Sequence, residues 1–347
     1  MNILKLLLYP FAAIYNGVMR LRNHLYDIGQ KPSFQFQTSV IVVGNLNVGG
    51  SGKTPMVEYL IRLLSHQYPT VALSRGYKRE TSGYRVAVAA DTAKSIGDEP
   101  LQMFRKFGDR IHVVVGEDRV FAIPHILQEF PETKVLLLDD ALQQRSIESS
   151  FSVLLTSSDR PFYNDFVLPF GRLRESRRGA SRADVVVVTK CGPELSVEDQ
   201  EQVKMRIQQY APSGQVFFSY IRYGDPKALR DGNSFSDRVV LVTGIANADP
   251  VEKYCNGKFK VLRHFKFNDH HHYSLSDLQE LDKYCKDQGE LSILTTEKDM
   301  VKIDVADFEP FLNRWKWFSL PIEHTFLKDG AKFDELVLDS VKRTLNR

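Results

Sequence analysis

The sequence predicts a mostly parallel, doubly wound α/β sheet followed by a smaller second α/β domain. Short apolar runs rich in β-branched residues alternate with longer mixed stretches that fit helices, such as 55–67 and 100–107. The runs are continuously hydrophobic, as expected for parallel strands with helices on both faces of the sheet. Those that define the first domain lie at 39–43, 71–73, 112–115, 135–138, 151–155 and 185–188.

The length of 347 residues corresponds to about two domains. The stretch 223–234 is rich in Gly, Pro, Asp, Ser and Asn, which favour turns, and we interpret it as a linker. The first domain is therefore predicted over 26–222 and the second over 235–347. Strand-like runs at 239–242, 258–267 and 292–295 support the second domain.

The overall composition excludes several classes of protein. There are 46 Lys and Arg against 43 Asp and Glu, a net charge of +3, which gives no support to nucleic-acid binding. The three cysteines, Cys191, Cys255 and Cys285, form no CxxC pair, so neither a disulfide framework nor a zinc ribbon is predicted. No obligate protein partner is evident.

Residues 1–25 are predicted to form an amphipathic helix at a membrane surface. The apolar stretch from Leu6 to Met19 is flanked by Lys5 and Arg20 and is short for a spanning helix. A secretory signal is disfavoured because no convincing cleavage site follows. An interfacial helix would place the apolar side chains among acyl chains and the basic ones among anionic headgroups. A core-packed helix with Pro10 in its first turn is the alternative.

The strongest local motif is a phosphate-binding loop between a buried strand and a helix. Gly49, Gly50, Ser51 and Gly52 precede Lys53 and Thr54. The backbone N–H groups of such a loop bind phosphate oxygens, the lysine reaches the transferring phosphate, and the threonine hydroxyl binds Mg²⁺. The motif usually has glycine where this chain has Asn47, a residue that tolerates left-handed backbone angles. This predicts a P-loop NTPase-like fold.

Two further segments refine the nucleotide prediction. The apolar strand 135–138 ends in Asp139 and Asp140. A strand that ends in a carboxylate is the usual form of the Mg²⁺-binding acidic residue in such folds. The sequence does not determine which of the two binds the metal directly. The segment 185–192 resembles a guanine-reading loop but has Gly192 where the base-binding aspartate would stand. ATP is therefore the predicted nucleotide.

Transfer to a hydroxyl also needs a group that takes the acceptor proton, and three segments offer carboxylates or imidazoles. Asp98 and Glu99 lie in a turn before a helix, 267–273 combines three histidines with Asp269, and 295–299 ends a strand. For Asp98 the alternative is a helix cap. For 267–273 the alternatives are a solvated polar loop or a metal site, and consecutive histidines that point in different directions disfavour the latter. The densest positive patch, 170–178, suits phosphate oxygens of a nucleotide, a phosphorylated substrate or anionic lipid.

Taken together, these motifs resemble the tetraacyldisaccharide 4'-kinase family of lipid A biosynthesis. The similarity extends in order from the N-terminal helix to about residue 302, and only the phosphate loop is specific by itself. The segments that carry it are 44–55, 73–77, 97–100, 139–140, 168–175, 267–273 and 295–299.

The resemblance implies transfer of the ATP γ-phosphate to the 4'-hydroxyl of a tetraacylated glucosamine disaccharide 1-phosphate at the cytoplasmic face of the inner membrane, by a peripheral or monotopic enzyme. It also implies two α/β/α domains with the active site between them. Asp98 would take the acceptor proton, assisted by His270, which Asp269 would orient. Thr54, Asp139, Asp140 and Glu175 would form the metal set, and Asn47, Arg75, Arg119, Gln143 and Arg174 would join the phosphate loop in binding nucleotide.

The chain departs from the family pattern after the metal strand. The family commonly has histidine where this chain has Gln144. Any role of that histidine is therefore either absent or carried out by Gln144. The main rival function is a phosphate-loop switch protein or membrane-associated ATPase, which would hydrolyse ATP without a lipid acceptor. A nucleotide-sensing scaffold is disfavoured because Lys53, Thr54 and Asp139 are intact.

Overall fold

A computed structural model describes residues 7–346 of the chain, which form two compact units. Unit 1 contains the described residues up to Arg75, together with Phe107–Ile221 and the described residues from His324 onward. Unit 2 contains Gly76–Lys106 and Arg222–Glu323.

The strands are numbered along the chain as follows: β1 (Ser39–Asn45), β2 (Thr70–Ser74), β3 (Arg85–Val86), β4 (His112–Val115), β5 (Val135–Asp139), β6 (Phe151–Ser157), β7 (Val185–Thr189), β8 (Gln215–Tyr223), β9 (Lys227–Ala228), β10 (Arg238–Thr243), β11 (Lys260–Lys266), β12 (Ser292–Thr296), β13 (Lys316–Leu320) and β14 (Ile322–Phe326).

The α-helices are α1 (Tyr9–Asp27), α2 (Lys53–Leu64), α3 (Ala93–Ile96), α4 (Asp98–Phe107), α5 (Arg119–Glu129), α6 (Val197–Gln208), α7 (Asp249–Lys258), α8 (Leu275–Cys285), α9 (Glu297–Ile303), α10 (Glu309–Leu312) and α11 (Gly330–Leu345). Short 3₁₀ helices lie at Phe162–Asn164, Arg177–Arg182 and Ala306–Phe308.

Unit 1 is built on a parallel sheet whose central strands are buried. The strand order is β14-β8-β7-β6-β1-β5-β2-β4, and β1 pairs in parallel with both β5 and β6. Every residue of β1, β5, β6 and β7 is buried, which explains their continuously apolar sequences. The carboxyl ends of β1 and β5 lie side by side, and this brings the phosphate loop next to Asp139.

Unit 2 has its own smaller sheet, in the order β11-β10-β12-β13-β9. The pairs β10/β11, β10/β12 and β12/β13 are parallel, and only the short β9 pairs antiparallel, with β13. Its core includes Val240, Ile293 and Trp317, and Leu281 and Cys285 of α8 pack against them. The predicted doubly wound sheet with a smaller second α/β domain is thus confirmed.

The two units differ from the predicted ranges 26–222 and 235–347 in two segments. Residues 76–106 lie in unit 2 although they precede the predicted linker, and the chain from His324 onward lies in unit 1. The latter segment contributes α11, whose Ser340 hydroxyl donates to the Ser150 carbonyl oxygen at 3.0 Å. The division at Ile221 falls beside the linker predicted from residue 223.

The N-terminal helix α1 begins with Tyr9 and has Pro10 in its first turn. Proline is tolerated there because backbone N–H groups of the first turn have no acceptor within the helix. Ala12 is its buried residue, and most of its apolar side chains face outward. Residues 1–6, including the predicted Lys5 and Leu6, lie outside the described residues. Within residues 7–346, no helix has the length and apolar content needed to cross a bilayer.

Candidate active site

The phosphate loop joins the carboxyl end of β1 to the start of α2. Gly49 and Gly52 have φ angles of 116° and 83°, in the region that favours glycine, and α2 begins at Lys53 immediately afterwards. Thr54 and Pro55 follow in the first turn, whose backbone N–H groups have no intrahelical acceptors. The local geometry is that of an anion-binding helix start, as predicted.

Asn47 closes the loop in a way that the sequence did not indicate. Its φ is not among the positive values found in the described residues, so its tolerance of left-handed angles is not used. Instead Asn47 forms a bridge with Leu173, and its side-chain amide donates to Asp165 Oδ2 at 3.0 Å. The segment 165–173 therefore supports the loop where the usual motif has glycine.

Lys53 and Arg174 both approach Asp140. The Lys53 ammonium lies 3.7 Å from Asp140 Oδ1, and the Arg174 guanidinium Nη1 donates to both carboxylate oxygens at 2.9 Å. Asp140 has a φ of 49°, an uncommon angle for a residue other than glycine and one often found at functional sites. We name Lys53, Thr54, Asp139, Asp140 and Arg174 the phosphate-loop cluster.

The end of β7 holds the phosphate loop from its other side. The Thr189 hydroxyl donates to the Ser51 carbonyl oxygen at 2.8 Å, and the Lys190 ammonium donates to the Gly50 carbonyl oxygen at 2.6 Å. Burial lowers the pKa of Lys190. Sequence reasoning considered these two residues only as a base-reading motif and missed this contact with the loop backbone.

Asp139 lies at the end of β5 and is buried, as is Arg119. The Arg119 guanidinium donates to the Asp139 carbonyl oxygen at 2.8 Å, and burial lowers the pKa of Arg119 while Asp139 and Asp140 oppose that shift. Arg75, the residue after β2, is exposed, and its charge also acts on Arg119. The two predicted arginines thus lie near the acidic residues of the phosphate-loop cluster.

Glu175 is enclosed by hydrogen-bond donors. It is 1 % exposed, and its Oε1 accepts from Arg182 at 2.6 Å and from the Gln143 amide at 3.2 Å. Its Oε2 accepts from the Asn23 amide at 2.8 Å. Both oxygens of Glu175 therefore have partners within the protein and are closed to an ion, whereas the Asp140 side chain, whose oxygens accept from Arg174, is 32 % exposed.

The chemistry of the phosphate-loop cluster fits a magnesium ion. Mg²⁺ prefers one or two carboxylates together with substrate phosphates and water, rather than an all-protein cage. Asp139 and Asp140 at a strand end and the Thr54 hydroxyl at a helix start offer such oxygen ligands. No group of three or more His, Cys, Asp or Glu in residues 7–346 is arranged to hold a metal ion.

The polar side of α1 contacts the residues that surround the phosphate-loop cluster. The Tyr15 hydroxyl donates to the Arg174 carbonyl oxygen at 2.8 Å, and Arg22 donates to the Gln143 carbonyl oxygen at 3.1 Å. Together with the bond from Asn23 to Glu175, these contacts fix α1 against unit 1. Gln144, which replaces the family histidine, donates instead to Ser146 at 2.7 Å.

A second group of predicted residues meets in unit 2. The Asp98 carboxylate Oδ2 lies 2.7 Å from His270 Nδ1, although the two residues are 172 positions apart in the chain. Asp98 is 6 % exposed and is the first residue of α4, and its Oδ1 accepts from the Glu99 backbone N–H at 2.9 Å. This hydrogen bond between the predicted acid–base residues is the central feature of the unit.

Backbone conformation places both members of this pair. Gly97 precedes Asp98 with φ 93° and ψ 154°, a combination essentially restricted to glycine, and a Cβ there would lie 3.2 Å from the Tyr77 carbonyl oxygen. His270 has a φ of 57° in the turn closed by the bond from the His271 N–H to the Asn268 carbonyl oxygen. Such strained angles persist where the surroundings determine them.

Charged neighbours complete the group. The Lys298 ammonium lies 3.3 Å from His270 Nε2 and 3.3 Å from Glu99 Oε1. Asp269 Oδ2 is 3.7 Å from His270 Nε2, too far for a hydrogen bond, and Asp269 pairs instead with Lys298 at 3.5 Å. Thus Asp98, rather than Asp269, makes the orienting bond to His270. We name Asp98, Glu99, Asp269, His270 and Lys298 the acid–base cluster.

The cluster keeps Asp98 ionised. Burial alone would raise the pKa of Asp98, but the hydrogen bond from His270 and the charges of Lys298 and Lys302 lower it below its usual value. Burial likewise opposes the charge of Lys298, whereas Glu99, Asp98 and Asp269 raise its pKa. Lys298 was not identified from the sequence as a residue of this group. Its position in the motif at 295–299 was the one feature that could have indicated it.

The neighbouring histidine supports the turn that carries His270. His271 Nε2 lies 3.0 Å from Asp277 Oδ2, and its ring stacks on Phe267 with ring centres 4.5 Å apart. Tyr77, from the predicted segment 73–77, places its ring edge-on to His270 at 5.3 Å. His270 and His271 therefore have different partners, Asp98 and Asp277.

The chain is similar to known proteins over nearly its whole length. A family model described as tetraacyldisaccharide-1-P 4'-kinase matches residues 4–342, nearly the whole chain. The chain belongs to this family. The relation is supported by curated proteins of similar length and by a solved structure.

Three of these relatives show the extent of the match to the family. Tetraacyldisaccharide 4'-kinase of Flavobacterium johnsoniae is 40 % identical over 350 residues, with 99 % of each chain covered. The enzyme of the same name from Cytophaga hutchinsonii is 38 % identical and covers 100 % of this chain and 99 % of its own. A crystal structure of LpxK from Aquifex aeolicus in complex with ATP has a TM-score of 0.76 at 26 % identity, covering 98 % of this chain and 100 % of that one.

Proposed function

We propose that the two clusters divide the work of the family's reaction: the phosphate-loop cluster binds Mg²⁺-ATP, and the acid–base cluster deprotonates the acceptor. The reaction is the ATP-dependent phosphorylation of a tetraacyldisaccharide 4'-hydroxyl in lipid A biosynthesis. The observation that carries the residue assignment is the hydrogen bond of 2.7 Å between Asp98 and His270.

The chemical step follows from these assignments. The acceptor O–H proton passes to the Asp98 carboxylate while the acceptor oxygen forms a bond to the γ-phosphorus. The bond from that phosphorus to the β,γ-bridging oxygen breaks, and its electron pair leaves with ADP. Phosphoryl transfer needs positioning more than a strong base, so an ionised Asp98 held by His270 suits the task.

Electrostatic stabilisation comes from the phosphate-loop cluster. Lys53 places its ammonium next to the transferring phosphate, and Arg174 holds Asp140 in place. Bound Mg²⁺ supplies charge neutralisation of the phosphate oxygens, and Thr54, Asp139 and Asp140 are the residues that would hold it. Glu175 acts through Gln143 and Arg182 as a positioning residue.

The assignment is tested by following label from γ-labelled ATP in mixed micelles with Mg²⁺, with and without tetraacyldisaccharide 1-phosphate. Wild type should label the lipid. Asp98→Asn should lower kcat by about two to four orders of magnitude, as expected for loss of a positioned base, while ATP binding is retained. Asp287→Asn changes an exposed aspartate of unit 2 and serves as the matched control.

Three results would contradict the proposal in different ways. Phosphate release that does not depend on the lipid, with no labelled lipid, would favour the ATPase alternative. Full activity of Asp98→Asn would remove that residue from the chemistry. Loss of ATP binding in the same variant would mean that Asp98 supports the nucleotide site instead.

We further propose that α1 lies at the cytoplasmic face of the inner membrane, where the acceptor headgroup would be presented. Phe11, Ile14, Val18 and Leu21 share one face of the helix and are 60–67 % exposed, a contiguous apolar surface that soluble proteins rarely leave open. Tyr15, Arg22 and Asn23, which lie to one side of this surface on the helix, make the polar contacts to the rest of unit 1 described above. The helix is thus held by these contacts while its apolar surface stays exposed.

Point substitutions test the membrane proposal better than deletion, because removing α1 would also remove the contacts of Tyr15 and Arg22. The double variant Ile14→Glu/Val18→Glu should lose flotation with vesicles that contain anionic phospholipid. Val197→Glu, which changes another exposed valine of unit 1, should float as wild type does. Equal flotation of all three proteins would refute a membrane role of this face.

A further inference from the structure

Lys298 lies close to all four of the other side chains of the acid–base cluster. Its ammonium lies 3.3 Å from His270 Nε2, 3.3 Å from Glu99 Oε1, 3.5 Å from Asp269 Oδ1 and 3.8 Å from Asp98 Oδ2. We propose that Lys298 is a positioning residue that holds His270 neutral, with its proton on Nδ1, and thereby keeps Asp98 ionised as the base. This inference rests on the proposed function and specifies the protonation state of its acid–base pair.

The tautomer follows from the kinds of atoms in contact. An ammonium group only donates hydrogen bonds, so His270 Nε2 must be the acceptor in its contact with Lys298. The remaining ring proton is then on Nδ1, which donates to Asp98 Oδ2 at 2.7 Å. A second proton on Nε2 would place two positive groups 3.3 Å apart.

The backbone around Lys298 is held independently of the pair. Thr296 caps α9, and the buried Asp299 accepts from the Gly244 backbone N–H at 2.9 Å and pairs with Lys302 at 2.8 Å. Glu297 pairs with Lys106 of α4, the helix that begins at Asp98, at 2.9 Å. These contacts fix α9 relative to α4, so that the Lys298 side chain is directed to the pair.

The surrounding charges determine the direction in which Lys298 shifts the apparent pKa of the Asp98–His270 pair. Asp98, Glu99 and Asp269 are negative, Lys298 is the positive group among them, and Lys302 acts on Asp98 from α9. The ring of Tyr77 covers another side of His270 without a charge. Removing the Lys298 charge would make a proton on either Asp98 or His270 more favourable, so the apparent pKa of the pair would rise.

The experiment measures kcat/KM from pH 5 to 9 for wild type, Lys298→Met and Lys298→Arg. Lys298→Met should move the acid limb upward by about one pH unit and recover much of its rate at high pH. Lys298→Arg keeps the charge and should leave the limb near that of wild type. Lys283→Met, at an exposed lysine of α8, is the matched control and should match wild type throughout.

A second measurement reads the imidazole directly. In protein labelled with ¹⁵N-histidine, the signal absent from His270→Gln assigns His270, and its coupling pattern distinguishes Nδ1–H from Nε2–H. We expect the Nδ1–H form in wild type and a change of this coupling pattern in Lys298→Met at the same pH.

The outcomes separate this inference from the proposed function. A uniform loss of rate at every pH in Lys298→Met, or an Nε2–H tautomer in wild type, would overturn the role of Lys298. Should Asp98→Asn keep full activity, the assignment of the base would fail, while the tautomer and its dependence on Lys298 would still be decided by the spectra.

Discussion

The phosphate-loop cluster lies at the carboxyl ends of neighbouring parallel strands, whereas the acid–base cluster is assembled from side chains of three separate segments. In unit 1, register between β1 and β5 places the loop beside Asp139, and the loop presents backbone N–H groups. In unit 2, the cluster depends on contacts such as Asp98–His270 and Lys298–Glu99. A site built on backbone tolerates changes of side chain, while one built from side-chain charges responds to pH and to single substitutions.

Among the substitutions that compare the two clusters, the largest loss of activity is expected for Lys53 of the phosphate-loop cluster. Lys53→Met should lower lipid phosphorylation by about 10²–10³-fold or more, because its ammonium stabilises charge on the transferring phosphate. Lys134→Met, at an exposed lysine before the opposite end of β5, should retain activity. Label transfer measures both, and near-normal turnover by Lys53→Met would show that the backbone of the loop suffices.

These two clusters also differ in how far sequence alone predicts them. The phosphate loop is contiguous, so its glycines, Lys53 and Thr54 were recognised from local order and the preceding strand. The assignment of Asp98 and His270 as an acid–base pair came from the resemblance, and their contact spans 172 positions and depends on the fold. Lys298 was missed because its role consists entirely of contacts with distant residues.

The unit boundaries illustrate the same limit. The sequence of segment 76–106 continues the first α/β pattern. In the structure, however, Lys106 of α4 pairs with Glu297 of α9, and Arg105 pairs with Asp304, which follows α9. Both contacts join residues more than 190 positions apart, as the separations of 191 and 199 show. Composition identifies linkers, but it does not reveal that a segment returns to another unit.

Glu175 tests whether a carboxylate near the phosphate loop binds metal or holds structure. Glu175→Gln should destabilise the fold by about 3 kcal/mol, because Arg182 loses its buried partner. The Mg²⁺ concentration for half-maximal activity should stay near that of wild type, since both Glu175 oxygens already accept protein hydrogen bonds. Chemical denaturation and Mg²⁺ titration of activity are the measurements.

Asp140→Asn provides the contrast for that titration. Its carboxylate lies beside Lys53 and is one of the proposed Mg²⁺ ligands, so the variant should need about 10-fold more Mg²⁺. A comparable Mg²⁺ requirement in Glu175→Gln would return Glu175 to the metal set that the family resemblance implied.

Unit 2 should lose stability when the backbone that leads into Asp98 is changed. Gly97→Ala should cost about 1–3 kcal/mol, because φ 93° and ψ 154° are strained for alanine and its Cβ would meet the Tyr77 carbonyl oxygen. Both tryptophans, Trp315 and Trp317, lie in unit 2, so their fluorescence during denaturation follows this unit.

A matched glycine separates backbone strain from close approach. Gly83 also has a positive φ, 81°, but a Cβ there would have no heavy atom within 4 Å. Gly83→Ala should therefore destabilise unit 2 less than Gly97→Ala and leave kcat unchanged. Equal loss of stability in the two variants would mean that the contact with Tyr77 contributes nothing.

The last comparison concerns the pH range in which each unit loses stability. Burial lowers the pKa of His324 in unit 1 to about 4, and its Nε2 lies 2.8 Å from the Ser219 hydroxyl. The unfolded chain binds a proton near pH 6.5, so unit 1 should lose stability as pH falls from about 6.5 towards 4, by about 2 kcal/mol at pH 5. Asp98 in unit 2 has a lowered pKa instead, and its contribution is lost only as pH falls below its usual value of about 3.9.

Hydrogen exchange at pH 7 and pH 5 separates the two units in this test, because peptides from β7 report on unit 1 and peptides from β12 on unit 2. Protection in β7 should fall at pH 5 while protection in β12 changes less. His324→Gln removes the titrating imidazole and should reduce the loss in β7, whereas His66→Gln, at an exposed histidine of the same unit, should not. If β7 kept full protection at pH 5 in wild type, the buried neutral histidine would not control the acid stability of unit 1.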